Sequence, residues 1–215
     1  MKDILSDIKN ALAKAVELSN ANGVNVKDFI ITGHSAGGHI GLLYGYKYQT
    51  EKIKIALCIS LAGPTDFTDD TGWSSMPMWG EDAETRLSFL SKVGSRLAGH
   101  SIELKQFNWT RQKDYFLFKP YITDISPISY ITKRGITPPT LLVHARSDNQ
   151  VPYSNALRLK AALDKALIPN KLITTTGIAD SHMLGGEVYS DNTPFLFNNQ
   201  SWIAEAKNWI ETYLT

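Results

Sequence analysis

The chain has 215 residues, enough for one sizeable core, and its 43% hydrophobic and 20% charged content is typical of a globular protein. Its 22 basic and 21 acidic residues nearly cancel, so the charge balance favours neither nucleic acid nor an anionic membrane as partner. Cys58 is the single cysteine, so an internal disulfide is excluded. Its place within an apolar run predicts a buried thiol.

The N-terminal segment predicts an amphipathic helix rather than a signal peptide, and no apolar run is long enough to span a membrane. A cytoplasmic location is the default expectation, although a leader upstream of Met1 could have carried a secretion signal. The turn-forming segment Asn20–Gly23 ends this helix. Its apolar residues recur at helical spacing and are Ile4, Leu5, Ile8, Ala11, Leu12, Ala15, Val16 and Leu18.

Two apolar strands follow. Asp28–Thr32 is almost continuously apolar, which is typical of a parallel strand covered on both faces. A helix is predicted from the glycine-rich turn after this strand to about Tyr48. The second strand, Ile53–Leu61, is closed by a Gly-Pro turn.

The pattern loosens between residues 65 and 136, and we predict a cap-like insertion within one domain that spans residues 1–215. Thr85–Leu97 has a helical pattern, whereas Lys105–Tyr121 is rich in aromatic residues without a clear period. These aromatics either form a local core or line a lid over an acyl or sugar pocket, and the sequence leaves both open.

The last third of the chain returns to alternating strands and helices. Thr140–His144 and Lys171–Thr175 are predicted strands, and Pro152 suits the first turn of the helix between them. A loop at residues 177–186 precedes an amphipathic C-terminal helix at residues 202–214. This order predicts an α/β fold, a mainly parallel sheet with helices on both faces.

The turn after the first strand has the pattern G-x-S-x-G, at Gly33 to Gly37, between a strand and a helix. This context is typical of a serine nucleophile on a strained turn. A Cβ at Gly33 or Gly37 is expected to collide with the neighbouring strand or helix, and Gly38 is expected to bring the helix close to the sheet. The start of the helix would present free N–H groups beside Ser35, as a developing oxyanion requires.

A serine hydroxyl needs a base, and the base needs a partner that fixes its tautomer. Loops that follow the carboxyl ends of parallel strands meet at one rim of the sheet. Ser35 follows the first strand, Asp148 the third and His182 the fourth, so all three are predicted to lie at that rim.

The remaining histidines are weaker candidates for the base. His34 lies within the turn itself, and His39 is placed to pack beneath it. His144 ends a strand and is predicted to be buried, and His100 falls within the insertion.

Two further carboxylates compete with Asp148. Asp180 lies only two residues from His182, on the same loop, and Asp66 follows the second strand. Asp148, on a loop separate from that of His182, is preferred to both, and Asp66 is the weaker of the two competitors.

At this point the chain resembles the esterase and lipase branch of the α/β-hydrolase fold. The resemblance implies Ser35 as nucleophile, His182 as general base, Asp148 as its orienting carboxylate and the N–H of Ala36 as one oxyanion donor. It implies no metal ion or organic cofactor. The matching segments are Gly33–Gly38, Ser126–Tyr130, Pro138–His144, Asp148–Pro152 and His182.

The front of the chain departs from this family. A His-Gly-Gly-Gly-type loop supplies the second oxyanion N–H in the family, yet Gly23 is the only glycine before Gly33. One such donor contributes roughly 2.7–4 kcal/mol, or about 10²–10³ in rate. The family's first strands are also missing, so Asp28–Thr32 is expected to be a sheet edge, open to pairing. A shortened gene product is favoured over a partner chain at this edge, such as a second copy, and over an inactive protein.

The sequence therefore predicts a serine hydrolase that cleaves carboxylic esters through an acyl-enzyme. Short-chain or sugar-linked acyl groups on a small-molecule ester are the expected substrates. Two alternatives remain: a peptidase of the same fold, and a catalytically inactive binding protein that lacks a complete oxyanion hole.

Overall fold

The computed structural model describes most of the chain outside residues 65–136, the predicted insertion. The described residues are 2–26, 28–48, 53–74, 92, 95, 119–120, 122–132, 136–176, 179–185 and 201–214. The predicted helix Thr85–Leu97 and the aromatic segment Lys105–Tyr121 therefore lie almost wholly outside the described residues.

Strands and helices alternate along the described chain, as predicted, and their bounds differ from the predicted ones by one or two residues. In chain order the elements are α1 (Lys2–Ala21), β1 (Asp28–His34), α2 (Ala36–Lys47), β2 (Lys54–Leu61), α3 (Asp70–Ser74), a 3-10 turn (Pro127–Tyr130), β3 (Thr140–Ala145), α4 (Tyr153–Lys165), β4 (Asn170–Thr175) and α5 (Ser201–Leu214).

The described strands form a parallel sheet in the order β1-β2-β3-β4. At its carboxyl end, His34 of β1 lies beside Leu61 of β2, and Leu61 lies beside Val143 of β3. Ala145 of β3 pairs with Thr175 of β4. The loops after β1, β3 and β4 therefore leave the sheet at a common rim, which is where the polar candidate residues lie.

Helices cover both faces of the sheet. Successive side chains of a strand point to opposite faces, so neighbouring residues of one strand belong to different cores. Leu142 of β3 belongs to a core formed with α1, α2 and α4, whereas its neighbours Leu141 and Val143 belong to a core formed with α5. The predicted α/β architecture is thus confirmed. Cys58 is a buried free thiol in the first core, and its burial raises its pKa.

Strand β1 lies at the edge of the described sheet, as expected for Asp28–Thr32. On the α5 side its face is only partly covered: Ile30 is 41% exposed, and Thr32 borders a groove of about 480 Å³ between the sheet and α5. Pairing of this edge with a second copy of the chain stays a prediction. None of the helices in the described ranges is long and apolar enough to cross a membrane.

Candidate active site

Ser35 occupies a strained turn between β1 and α2. Its backbone has φ 53° and ψ −121°, a conformation that costs a non-glycine residue about 1–3 kcal/mol. The Ser35 N–H donates to the carbonyl of Leu61 at 2.8 Å, and the His39 N–H donates to the Ser35 carbonyl at 3.1 Å as α2 begins. Helix and strand together hold the turn in this conformation.

Two glycines allow the turn to pack against its surroundings. A Cβ at Gly33 would lie 2.3 Å from the carbonyl carbon of Gly37, and one at Gly38 would lie 2.8 Å from the Gly33 oxygen and from Ser60 Oγ. The prediction for these two positions is therefore confirmed. The prediction for Gly37 is wrong, because a Cβ there meets no described atom within 4 Å. Gly37 lies in the exposed first turn of α2, away from the sheet.

Asp148 lies in a tight turn directly after β3 and is only 4% exposed. The backbone N–H groups of Gln150 and Val151 donate to its Oδ1 at 2.8 and 2.9 Å. Aspartate commonly closes a turn in this way by binding the backbone two or three residues ahead. The turn thereby fixes one carboxylate oxygen and directs the other across the rim.

His182 lies on the loop after β4, and this loop is anchored on both sides. Leu184 is fully buried beneath it, and the Trp202 indole N–H donates to the Leu184 carbonyl at 3.1 Å. On the other side, Ser147 Oγ donates to the carbonyl of Asp180 at 2.6 Å. We call residues 179–185 the His182 loop.

The structure brings the three predicted side chains together at the rim. His182 Nε2 lies 2.9 Å from Ser35 Oγ, and His182 Nδ1 lies 2.9 Å from Asp148 Oδ2 and 3.1 Å from Oδ1. A carboxylate accepts, so Nδ1 carries the ring proton and Nε2 is left to accept the proton of Ser35. This arrangement can remove a proton from the hydroxyl and stabilise the imidazolium that results.

The charge on Asp148 is maintained although the residue is buried. Burial alone would raise its pKa, but hydrogen bonds from His144, His182 and the N–H groups of Val151 and Gln150 outweigh it. They hold the pKa of Asp148 below its ordinary value. The carboxylate therefore stays ionised near neutral pH.

His39 packs beneath the turn, as expected from the sequence. It is 5% exposed, and its Nδ1–H donates to the carbonyl of Pro64 at 3.1 Å. Its Nε2 is buried without a hydrogen-bond partner among the described residues. Burial, offset in part by the bond to Pro64, lowers the pKa of His39 to about 4.

This buried histidine is expected to make the folded protein sensitive to acid. In the unfolded chain the pKa of His39 returns to its ordinary value of 6.5. Between pH 6.5 and pH 4 the unfolded chain therefore binds a proton that the folded chain does not bind. The free energy of unfolding keeps this contribution above pH 6.5 and loses roughly 3 kcal/mol as the pH is lowered through this window. Urea unfolding at several pH values should show this loss in the native protein and not in His39→Asn, which keeps a donor for Pro64. Parallel pH dependence of the two proteins would contradict it.

Two further histidines reach the site, and the sequence did not reveal either contact. His34 Nε2–H donates to the carbonyl of His182 at 2.8 Å, and the two rings lie 5.0 Å apart. His144 is buried, as predicted, and its Nε2 lies 3.2 Å from Asp148 Oδ2. His144 lies near the end of β3, and Asp148 follows four residues later in the turn after this strand. This short spacing is the pattern that could have indicated the contact.

The competing carboxylates are engaged elsewhere. Asp180 Oδ1 accepts the backbone N–H of Ser147 at 3.2 Å, and buried Asp66 accepts from Arg158 Nε at 2.7 Å. Within the described ranges no cluster of histidine, cysteine, aspartate and glutamate residues has the arrangement of a metal site.

A family model described as BD-FAE matches residues 2–163, more than half of the chain. No curated protein matches the chain. Among solved structures, a truncated carbohydrate esterase from gut microbiota is 20% identical with a TM-score of 0.59, covering 98% of this chain and 68% of that one.

Two other solved structures have the same fold. A butyrate-bound esterase from Thermogutta terrifontis is 18% identical with a TM-score of 0.56, covering 97% of this chain and 64% of that one. An acetyl ester-xyloside bifunctional hydrolase from Caldicellulosiruptor lactoaceticus is 21% identical with a TM-score of 0.54, covering 97% and 65%. The chain thus spans about two thirds of the length of the three structures.

Proposed function

Because this chain belongs to the BD-FAE family, an α/β-hydrolase-type family, we propose that it is a serine hydrolase of carboxylic esters. The observation that carries the proposal is the 2.9 Å contact between Ser35 Oγ and His182 Nε2, continued at 2.9 Å from His182 Nδ1 to Asp148. The esterases among its structural neighbours support ester hydrolysis in general.

In the proposed reaction, Ser35 Oγ attacks the ester carbonyl carbon while His182 Nε2 takes the hydroxyl proton. Asp148 stabilises the imidazolium and keeps the ring in place. The tetrahedral intermediate collapses as His182 gives its proton to the leaving alcohol, which leaves the acyl group on Ser35. A water molecule then attacks this ester, loses its proton to His182 and releases the acid, so that Ser35 regains its proton.

The oxyanion would be bound at the start of α2. Ala36 is the first residue of that helix, where N–H groups have no partner within the helix. The Ser35 N–H is occupied by the Leu61 carbonyl at 2.8 Å, so the proposed donor is the N–H of Ala36. No second donor is identified within the described residues.

We propose short or sugar-linked acyl esters as substrates. Support comes from the carbohydrate esterase, the butyrate-bound esterase and the acetyl ester-xyloside hydrolase that share the fold. The proposed steps use only side chains of this protein and water, and they call for no metal ion or organic cofactor.

A fluorophosphonate probe tests the proposal, because it reacts only with a serine that a base has activated. We expect the folded protein to be labelled on the peptide that contains Ser35, and Ser35→Ala to remain unlabelled. Ser60→Ala is the matched control, since Ser60 is a buried serine on the adjacent strand and its loss should not prevent labelling. Failure to label the folded native protein would favour a catalytically inactive binding protein.

A further inference from the structure

A second histidine contacts the carboxylate that holds His182. His144 is the penultimate residue of β3 and is 2% exposed. Its Nε2 lies 3.2 Å from Asp148 Oδ2 and 3.1 Å from the carbonyl oxygen of Val151. A carbonyl oxygen can only accept, so Nε2 carries a proton and donates it to Val151, and the same N–H group lies beside Asp148 Oδ2. Asp148 Oδ2 is therefore contacted by two imidazole rings.

The two rings hold this oxygen from different parts of the fold. Asp148 Oδ1 is fixed by N–H groups of its own turn, whereas Oδ2 accepts from His182 at 2.9 Å and lies 3.2 Å from His144 Nε2. His182 belongs to a loop and its ring changes charge in the proposed reaction. His144 belongs to the sheet, and its ring packs at 5.9 Å against Tyr153 of α4, so it is the fixed donor of the pair.

We propose that His144 is a positioning residue that directs Asp148 Oδ2 toward His182 through its Nε2–H. The proposal rests on the proposed function, because it concerns the carboxylate that orients the base. His144 touches neither Ser35 nor His182 in any contact the structure records, so it acts only through Asp148.

The same hydrogen bond also favours the charged form of Asp148. The carboxyl group is buried, and the bond from His144 is the largest of the contributions that lower its pKa. Among the described residues, three titratable side chains influence or face this carboxyl group: His144 from β3, His182 from the His182 loop and His34 from the end of β1. Loss of the His144 donor should therefore raise the pKa of Asp148 and loosen its orientation together.

The test compares variants that remove the donor with one that keeps it. His144→Leu and His144→Phe fill the space without an N–H group, and either one serves if it folds. His144→Gln places an amide N–H near the position of Nε2 but cannot become charged. Tyr153→Phe is the control for local packing, because it removes a hydroxyl bonded to Thr174 at 2.6 Å and leaves Asp148 untouched.

Two readouts are needed. Carbon NMR of the Asp148 carboxyl group, assigned with Asp148→Asn, follows its titration without any need for turnover. Hydrolysis of p-nitrophenyl acetate gives kcat and KM across pH. In the apolar variants we expect the Asp148 titration to move to higher pH and kcat/KM to fall about 10- to 100-fold, mainly through kcat. We expect His144→Gln to restore both and Tyr153→Phe to change neither.

The outcomes separate this proposal from the proposed function. An unchanged Asp148 titration in a folded apolar variant overturns the role of His144, and so does an equal shift in Tyr153→Phe. If the native protein hydrolyses no ester but the NMR titration shifts as expected, the positioning contact stands and the proposed function fails. If esters are hydrolysed equally well by the native protein and the apolar variants, the function stands and His144 has only a structural role.

Discussion

Asp148→Asn is expected to lower kcat/KM for p-nitrophenyl acetate about 10⁴-fold in a protein that remains folded. The backbone N–H groups of Gln150 and Val151 need the side-chain oxygen that they now bind, so the new amide NH₂ would face His182. Its N–H would force the His182 proton onto Nε2, and that nitrogen could no longer accept the proton of Ser35. The loss should appear in kcat, with KM little changed.

The matched control for this substitution is Asp180→Asn. Asp180 lies on the His182 loop, and an asparagine oxygen can still accept the N–H of Ser147 that Asp180 Oδ1 now binds at 3.2 Å. Its kcat/KM should stay within about threefold of the native value. Similar losses in the two variants, or a loss in Asp180→Asn alone, would show that Asp148 is not the orienting carboxylate.

Gly33→Ala is expected to destroy the turn that carries Ser35. The added Cβ would lie 2.3 Å from the Gly37 carbonyl carbon, 2.5 Å from its oxygen and 2.7 Å from the Gly38 nitrogen. All three are backbone atoms of α2, which cannot move aside without displacing the helix from the sheet. We expect a loss of about 3 kcal/mol or more, equivalent to a fall in Tm of roughly 10 °C, together with loss of fluorophosphonate labelling.

Gly37→Ala provides the control at the other glycine of the motif. A Cβ there meets no described atom within 4 Å, and alanine is favoured over glycine within a helix by about 0.5–1 kcal/mol. Thermal unfolding should therefore show an unchanged or slightly higher Tm. A large fall in Tm for Gly37→Ala, or none for Gly33→Ala, would contradict the packing seen at this turn.

Much of the fold could be predicted because its elements have clear local patterns. The apolar runs that became β2 and β3 are too short and too continuous for surface helices, and they predict strands covered on both faces. The spacing of apolar residues in α1 and α5 predicts helices with one buried side. Local patterns of this kind depend only on neighbours in the chain, so one sequence is enough to recognise them.

The glycines of the turn show where such patterns stop. Gly33 and Gly37 are equivalent in the motif, yet a Cβ at Gly33 would meet backbone whereas one at Gly37 would meet no described atom within 4 Å. The difference depends on how α2 packs against β1, and the motif does not encode this packing. The contacts of His34 and His144 also go beyond local patterns, since their partners lie on a distant loop or across a turn.

By itself, the sequence determined the α/β order of elements and the placement of Ser35, Asp148 and His182 after three strands. Parallel strands end at a common rim, so that order alone was enough to bring the three residues to one edge. The tertiary structure decided that they meet within hydrogen-bond distance, and that the sheet-borne ring of His144 shares the oxygen that holds His182. Such contacts join residues up to 147 positions apart, and their distances are set by the packing of the whole sheet.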